Sequence, residues 1–210
     1  MNELLAIVLA YVVGSIPFAF LLSRQRGVDL RQAGSGNVGA ANVLRTTGAG
    51  AAAVALVLDG VKGTVAVLMA QLLSAGLLAP VAAGLASVIG HVYPVWLRFR
   101  GGKGVATAAG AFAILAPAAL GVSAIVFVLA VAITRFVSVG SMAAALTLAA
   151  ATAFGDSPAI VTLGAVASAG VVLHRHRVNL RRIVAGTERR VGRQAGDRLG
   201  GEPGRASFDG

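Results

Sequence analysis

The chain of 210 residues contains no cysteine. That absence removes disulfide bridges, thiolate metal sites and a cysteine acyl-enzyme, and it leaves the compartment to be read from topology. Charge is nearly as scarce: Asp, Glu, Lys and Arg make up 12% of the residues, against 57% hydrophobic ones. With a mean hydropathy of +0.83, the chain is too apolar for an ordinary water-soluble domain and reads as an integral membrane protein. What charge there is leans one way, 18 Lys and Arg against 8 Asp and Glu, for a net +10. Nucleic acid does not explain the excess, because most of this chain cannot face water. Orientation in a bilayer, anionic headgroups or an anionic substrate explain it better.

A second absence fixes the expected topology. Connections near residues 74–80, 116–117 and 155–158 contain neither Lys nor Arg, whereas every basic residue except Lys62 falls in one of four clusters between the apolar stretches. These are Arg24 to Arg45, Arg98 to Lys103, Arg135 alone, and the arginine-rich segment from Arg175 to Arg205. By the positive-inside rule the clusters share the cytoplasmic side, with the N-terminus outside and the C-terminus inside. The first apolar segment, residues 4–22, has no basic stretch before it and reads as a retained helix rather than a signal peptide. A span needs roughly 20 apolar residues, and residues 49–73 and 77–97 supply two more. Residues 104–134 are long for one span and short for two, with Pro117 in the middle. Only a pair of short or partly immersed helices returns Arg135 to the basic side. Residues 139–154 and 159–173 then complete an all-α membrane protein of about seven transmembrane helices. Residues 1–189 form the expected membrane domain, and 190–210, rich in Gly and Arg without an apolar pattern, a disordered basic tail. The 28 glycines suit close helix packing in lipid.

The basic loops carry more than topology. Residues 34–45 read GSGNVGAANVLR. Gly34, Gly36 and Gly39 let backbone amides approach an anion. Ser35, Asn37 and Asn42 add neutral hydrogen bonds, and Arg45 offers a fork that matches phosphate. The second loop holds Gly101, Gly102, Lys103 and Gly104 after a Gly90-His91-Val92-Tyr93-Pro94 run. It lacks both the G-x-x-x-x-G-K-[ST] pattern and a preceding strand, so nucleotide hydrolysis is not expected. Lys103 between glycines is still placed to contact a second phosphate as a point charge. The third loop joins Arg135 to Ser138, Gly140 and Ser141, and the fourth reads His174-Arg175-His176-Arg177-Val178-Asn179, followed by Gly186-Thr187-Glu188. If this segment is helical, His176 and Asn179 share a face at i and i+3. One such loop is a topology signal; four of like chemistry on one face describe a phosphate-handling site.

Other residues have plainer readings. Asp59 and Lys62, at i and i+3 within the second span, are read first as a structural ion pair and alternatively as the floor of a pocket. His91 reads as interfacial, Tyr93 and Trp96 as interface anchors, and His174 as facing headgroups. None of His91, His174 and His176 is followed by Asp in a His-x-x-x-x-Asp pattern, which argues against an acyltransferase using acyl-CoA or acyl carrier protein. A transporter would set charges along a midplane pore, and only Asp59 and Lys62 lie deep. A scaffold would leave the four polar motifs without a purpose.

Together the G-S-G-N-x-G-x-x-N-x-x-R run, G-H-x-x-P with G-G-K-G downstream, V-S-x-G-S, and H-R-x-N with G-T-E resemble the bacterial acyl-phosphate glycerol-3-phosphate acyltransferase family over about residues 10–189. The resemblance implies a seven-helix inner-membrane enzyme that moves a fatty acyl group from acyl phosphate to the 1-position of sn-glycerol 3-phosphate. The products are lysophosphatidic acid and inorganic phosphate, with no cofactor or metal. It implies a catalytic set of Ser35, Arg45, Lys103, His176 and Asn179. The phosphate-binding set is Gly34, Gly36, Asn37, Gly39, Asn42, Gly101, Gly102, Gly104, Ser138, Ser141 and Glu188. In that reading Lys103, Arg45 and the glycine amides stabilise the leaving phosphate, with Ser35 and Ser141 as further donors. His176 and Asn179 orient glycerol 3-phosphate. The hydroxyl proton goes to a substrate phosphate oxygen or, alternatively, to His176 as general base. A functional link to the soluble enzyme that makes acyl phosphate is expected by resemblance.

Overall fold

The computed structural model describes residues 2–191, which form ten α-helices, one 3-10 turn and, among the described residues, no strand. The helices are α1 Asn2–Ser15, α2 Phe18–Arg24, α3 Ala40–Thr46, α4 Ala49–Leu73, α5 Leu78–Val92, α6 Val105–Leu115, α7 Pro117–Thr134, α8 Val137–Phe154, α9 Ala159–Arg175 and α10 Arg177–Val184, with the 3-10 turn at Val95–Leu97. Five segments are long and apolar enough to cross a bilayer: Asn2–Arg24, Ala49–Leu73, Leu78–Leu97, Pro117–Thr134 and Val137–Phe154. The first is interrupted at Pro17, which has no N–H to continue the ladder of α1. α9 and α10 pass the same test only as a pair, bent by 52°.

The ambiguous stretch resolves into two unequal helices. α7 is of full length, while α6 has 11 residues, about 16 Å at 1.5 Å per residue and so about half of the hydrocarbon core. Pro117 stands at the first turn of α7, where a missing N–H leaves no bond unmade. α6 is therefore shorter than a full span. α8 begins at Val137, so Ser138 and Ser141 lie in its first turns rather than in a loop.

Small residues face inward and large ones outward. Ala6, Ala10, Ala55, Ala66, Ala70 and Ala83 are fully buried, whereas Ile133 and Phe154 are almost wholly exposed, as expected where lipid is the solvent and close backbone approach drives packing. Gly90 meets the Tyr11 carbonyl of α1, and Gly63 of α4 meets the Thr107 carbonyl of α6; a Cβ at either position would overlap that oxygen. Hydroxyls stitch the rest: Thr64 Oγ1 donates to Gly110 O (2.8 Å), Ser123 Oγ to Ala144 O (2.7 Å) and Thr162 Oγ1 to Thr152 O (3.0 Å).

At one end of the bundle the connections are short, and Ser74 Oγ donates to Glu3 Oε1 at 2.9 Å. At the other end the basic loops converge. The basic tail expected from 190 onward lies, from 192, outside the described residues. Its first two residues are docked: the Arg190 guanidinium sits 5.3 Å over the Phe136 ring, and Val191 N donates to Arg135 O at 2.8 Å.

Candidate functional site

The loop before α3 is organised by Asn42, which is fully buried. Its Oδ1 accepts Ser35 N at 2.8 Å, and its Nδ2 donates to Leu30 O at 3.2 Å and Ala33 O at 3.0 Å. Gly34, in the left-handed region at φ 62°, lies so close to this amide that a Cβ would strike it. Asn42 thus braces the loop from behind. On the same short helix, exposed Arg45 lines a cavity without a hydrogen-bond acceptor among the described residues. Burial and the neighbouring Arg189 lower its pKa, yet a guanidinium keeps its charge.

The second loop is held from two sides. Gly101 N donates to Val92 O and Gly102 N to His91 O, both at 3.1 Å. From α9, Arg175 Nε donates to Gly102 O and Nη2 to Gly101 O, both at 3.2 Å, while its guanidinium lies 5.6 Å over the Tyr93 ring. Tyr93, expected as an interface anchor, instead supports this arginine. Arg98 and Phe99 are both left-handed, at φ 52° and 61°, a strained pair that persists only when its surroundings hold it. The loop delivers the Lys103 ammonium to Asn179 Oδ1. Burial lowers the Lys103 pKa to about 8; Glu188 opposes the shift and Arg45, Arg175 and Arg182 add to it. Lys103 is still mainly a cation at neutral pH.

The third and fourth segments meet at Glu188, whose Oε1 accepts Asn179 Nδ2 at 2.7 Å and Ser138 Oγ at 2.9 Å. Asn179 is therefore aligned at both ends, between Lys103 and Glu188. His176, 2% exposed, stands between α9 and α10, and its Nδ1–H donates to Val172 O at 2.8 Å. That bond selects the tautomer with an unprotonated Nε2. Burial, then the Lys103 charge, hold its pKa at about 4, so the ring is neutral at physiological pH. Ser141 Oγ donates to Val137 O at 2.9 Å within α8, so its proton is already used and the expected role as phosphate donor is weakened.

These groups line one cavity of about 360 Å³. Ser35, Gly36, Asn37, Gly39, Asn42, Arg45, Lys103, Gly104, Ser138, Ser141, His176, Asn179 and Glu188 all border it. Gly34, Gly101 and Gly102 do not; they build the loops behind. Sequence reasoning overlooked Arg175, Arg182 and Arg189; it gave Asp59 a place at the pocket floor only as an alternative to a structural ion pair and read His91 first as interfacial, and all five border the cavity. The His-Arg-His-Arg run was the one signal for Arg175; nothing local distinguished Asp59 and His91. His174 stays at the exposed rim beside Arg177, Nε2 to Nη1 2.7 Å. Phe127, Val137, Val105 and Ala106 give one wall an apolar character.

A helical bundle with lipid-facing flanks, and at one end a cavity both cation-rich and apolar-walled, defines an integral membrane protein built to hold amphiphilic anions. The glycerol-3-phosphate acyltransferase family model matches residues 4–186, and the chain belongs to that family. Its curated relatives include the glycerol-3-phosphate acyltransferase of Rubrobacter xylanophilus, 44% identical and covering 93% of this chain and 98% of the relative. That of Myxococcus xanthus is 47% identical over 88% and 97%. Among solved structures, the glycerol 3-phosphate form of PlsY, an integral membrane glycerol 3-phosphate acyltransferase, superposes with a TM-score of 0.88 at 36% identity, covering 91% of this chain and 96% of that one. Its lysophosphatidic acid form gives 0.86 at 35%.

Proposed function

We propose that this protein transfers a fatty acyl group from acyl phosphate to the 1-position hydroxyl of sn-glycerol 3-phosphate, releasing lysophosphatidic acid and inorganic phosphate. The observation that carries the reading is the single cavity where Arg45, Lys103, the glycine loops and an apolar wall meet. Both substrates carry phosphate and one carries an acyl tail, and the cavity offers surfaces for each. The similar PlsY structures, one a glycerol 3-phosphate form and one a lysophosphatidic acid form, support the acceptor and the product.

The chemistry needs positioning and charge stabilisation, because acyl phosphate is already activated and no cofactor is required. The glycerol hydroxyl oxygen attacks the acyl carbonyl, the bond from that carbon to the phosphate oxygen breaks, and phosphate leaves with the electron pair. Lys103, Arg45 and the amides of the Gly36–Gly39 loop hold the departing charge, with Ser35 as a further donor. Asn179, fixed between Lys103 and Glu188, and neutral His176 orient the acceptor. The proton goes to phosphate rather than to His176: the second phosphate pKa is about 6, while His176 is held near 4.

Lys and Arg crowd one end of the bundle, which by the positive-inside rule is the cytoplasmic face of the bacterial inner membrane, with the N-terminus outside. Glycerol 3-phosphate then arrives from the cytosol and the acyl chain from the bilayer. A soluble enzyme that forms acyl phosphate is the natural supplier. The deciding experiment is phosphate release by the protein in lipid, with palmitoyl phosphate, with and without glycerol 3-phosphate. Release that requires glycerol 3-phosphate and yields lysophosphatidic acid is expected. Absence of release, or release indifferent to glycerol 3-phosphate, overturns the reading.

A further inference from the structure

Beneath the glycine loop lies a charged cluster that the proposed reaction does not use. Asp59 and Lys62 of α4 and His91 of α5 are 2%, 3% and 8% exposed. One carboxylate oxygen, Asp59 Oδ1, faces two side chains: the Lys62 ammonium Nζ at 3.0 Å and His91 Nδ1 at 3.5 Å. Lys62 Nζ also donates to Ile16 O at 3.0 Å, at the break between α1 and α2. A fully buried ion pair is costly, and its presence is weak evidence for a role in stability alone.

The far side of the cluster touches the loop. His91 O accepts Gly102 N, and the His91 Nε2 edge lies so close to Gly102 that a Cβ there would overlap it. The imidazole is thus clamped between Asp59 and Gly102, one residue before Lys103. A small cavity bordered by Asp59, Lys62, His91, Gly101 and Gly102 also reaches Ile16 and Pro17 at the α1–α2 break. On the opposite side Arg175 holds the same two glycine carbonyls.

We propose that Asp59, Lys62 and His91 act as positioning residues, a buried ionic pedestal that sets the height of the Gly101–Gly102 loop and thereby where the Lys103 ammonium stands. This rests on the reading of Lys103 as the cation that holds the departing phosphate. The pedestal acts through the backbone and touches no reacting atom.

The test combines turnover with a readout independent of it: the pH dependence of Lys103 labelling by acetic anhydride, followed by mass spectrometry in substrate-free protein. The variants are the charge-free pair Asp59→Asn with Lys62→Met, which removes both ions together and so avoids stranding one of them, and Gly102→Ala, which leaves the ions intact and pushes on His91. Wild-type Lys103 is expected to titrate at about 8. In both variants its midpoint should rise by about one unit or more as the loop relaxes into water, with kcat reduced about tenfold or more and KM for glycerol 3-phosphate changed less. A double variant with wild-type kcat and labelling profile, whatever its thermal stability, would leave the cluster at most a structural role and overturn the proposal. So would an unchanged profile and kcat in Gly102→Ala, which reports even if the double variant does not fold. If the wild type shows no turnover of palmitoyl phosphate, the functional reading fails on its own, and the labelling profiles still decide the pedestal.

Discussion

The two ends of the bundle solve the same problem, reversing a chain at a membrane surface, in opposite ways. At the cation-free end α4 reaches α5 through Ser74 to Leu77, α6 passes to α7 at Ala116, and α8 to α9 through Gly155 to Pro158. These are turns and little else. At the other end the chain takes long excursions, from Gln25 to Gly39 and from Tyr93 to Gly104, and buries polar groups such as Asn42 and His176 inside them. Burying a polar group costs free energy unless it is fully hydrogen-bonded, and here each has partners. The difference teaches where function resides: helices and short turns make the frame, and the long polar excursions stand where a ligand is to be held.

The largest effect expected from breaking this asymmetry is loss of a cation at the cavity. Lys103→Ala or Arg45→Ala should cut glycerol 3-phosphate-dependent phosphate release by about 100-fold or more, while Ser74→Ala at the opposite end leaves it unchanged; near-normal rates in both cation variants would remove them from the mechanism. Glu188→Ala strands Asn179 Nδ2 and Ser138 Oγ together. We expect a loss of about 10- to 100-fold in kcat/KM, or about 1.4 to 2.7 kcal/mol, and this figure is checked by steady-state kinetics with glycerol 3-phosphate varied.

The frame should answer differently. Gly63→Ala drives a Cβ into the Thr107 carbonyl and should destabilise by about 1 to 3 kcal/mol, read as a lower Tm in detergent. Gly76→Ala, at the cation-free turn with open space around it, should stay within about 0.5 kcal/mol. The mildest perturbation is pH. Lys103 loses its charge as pH rises through about 8, so kcat should fall above pH 8 and level off below about 7. A flat profile from pH 7 to 9 would mean that Lys103 is not the titrating contact.

Much of this division was legible in the chain. The Arg45 and Lys103 motifs, and the pairing of His176 with Asn179, pointed to one basic face because their residue types announce the ligand they suit. Tyr93 misled, since an aromatic near a span end looks the same whether it meets headgroups or supports Arg175.

The sequence by itself determined the all-helical membrane class, the sites of the basic loops and the chemistry they carry, because hydropathy and charge act over a single turn or span. Only the tertiary structure decided that Asp59 meets His91 and that Arg175 grips Gly101 and Gly102. Those depend on how close two backbones come, and at Gly63 and Gly90 that distance is set by the opposing helix, whose identity local sequence does not contain.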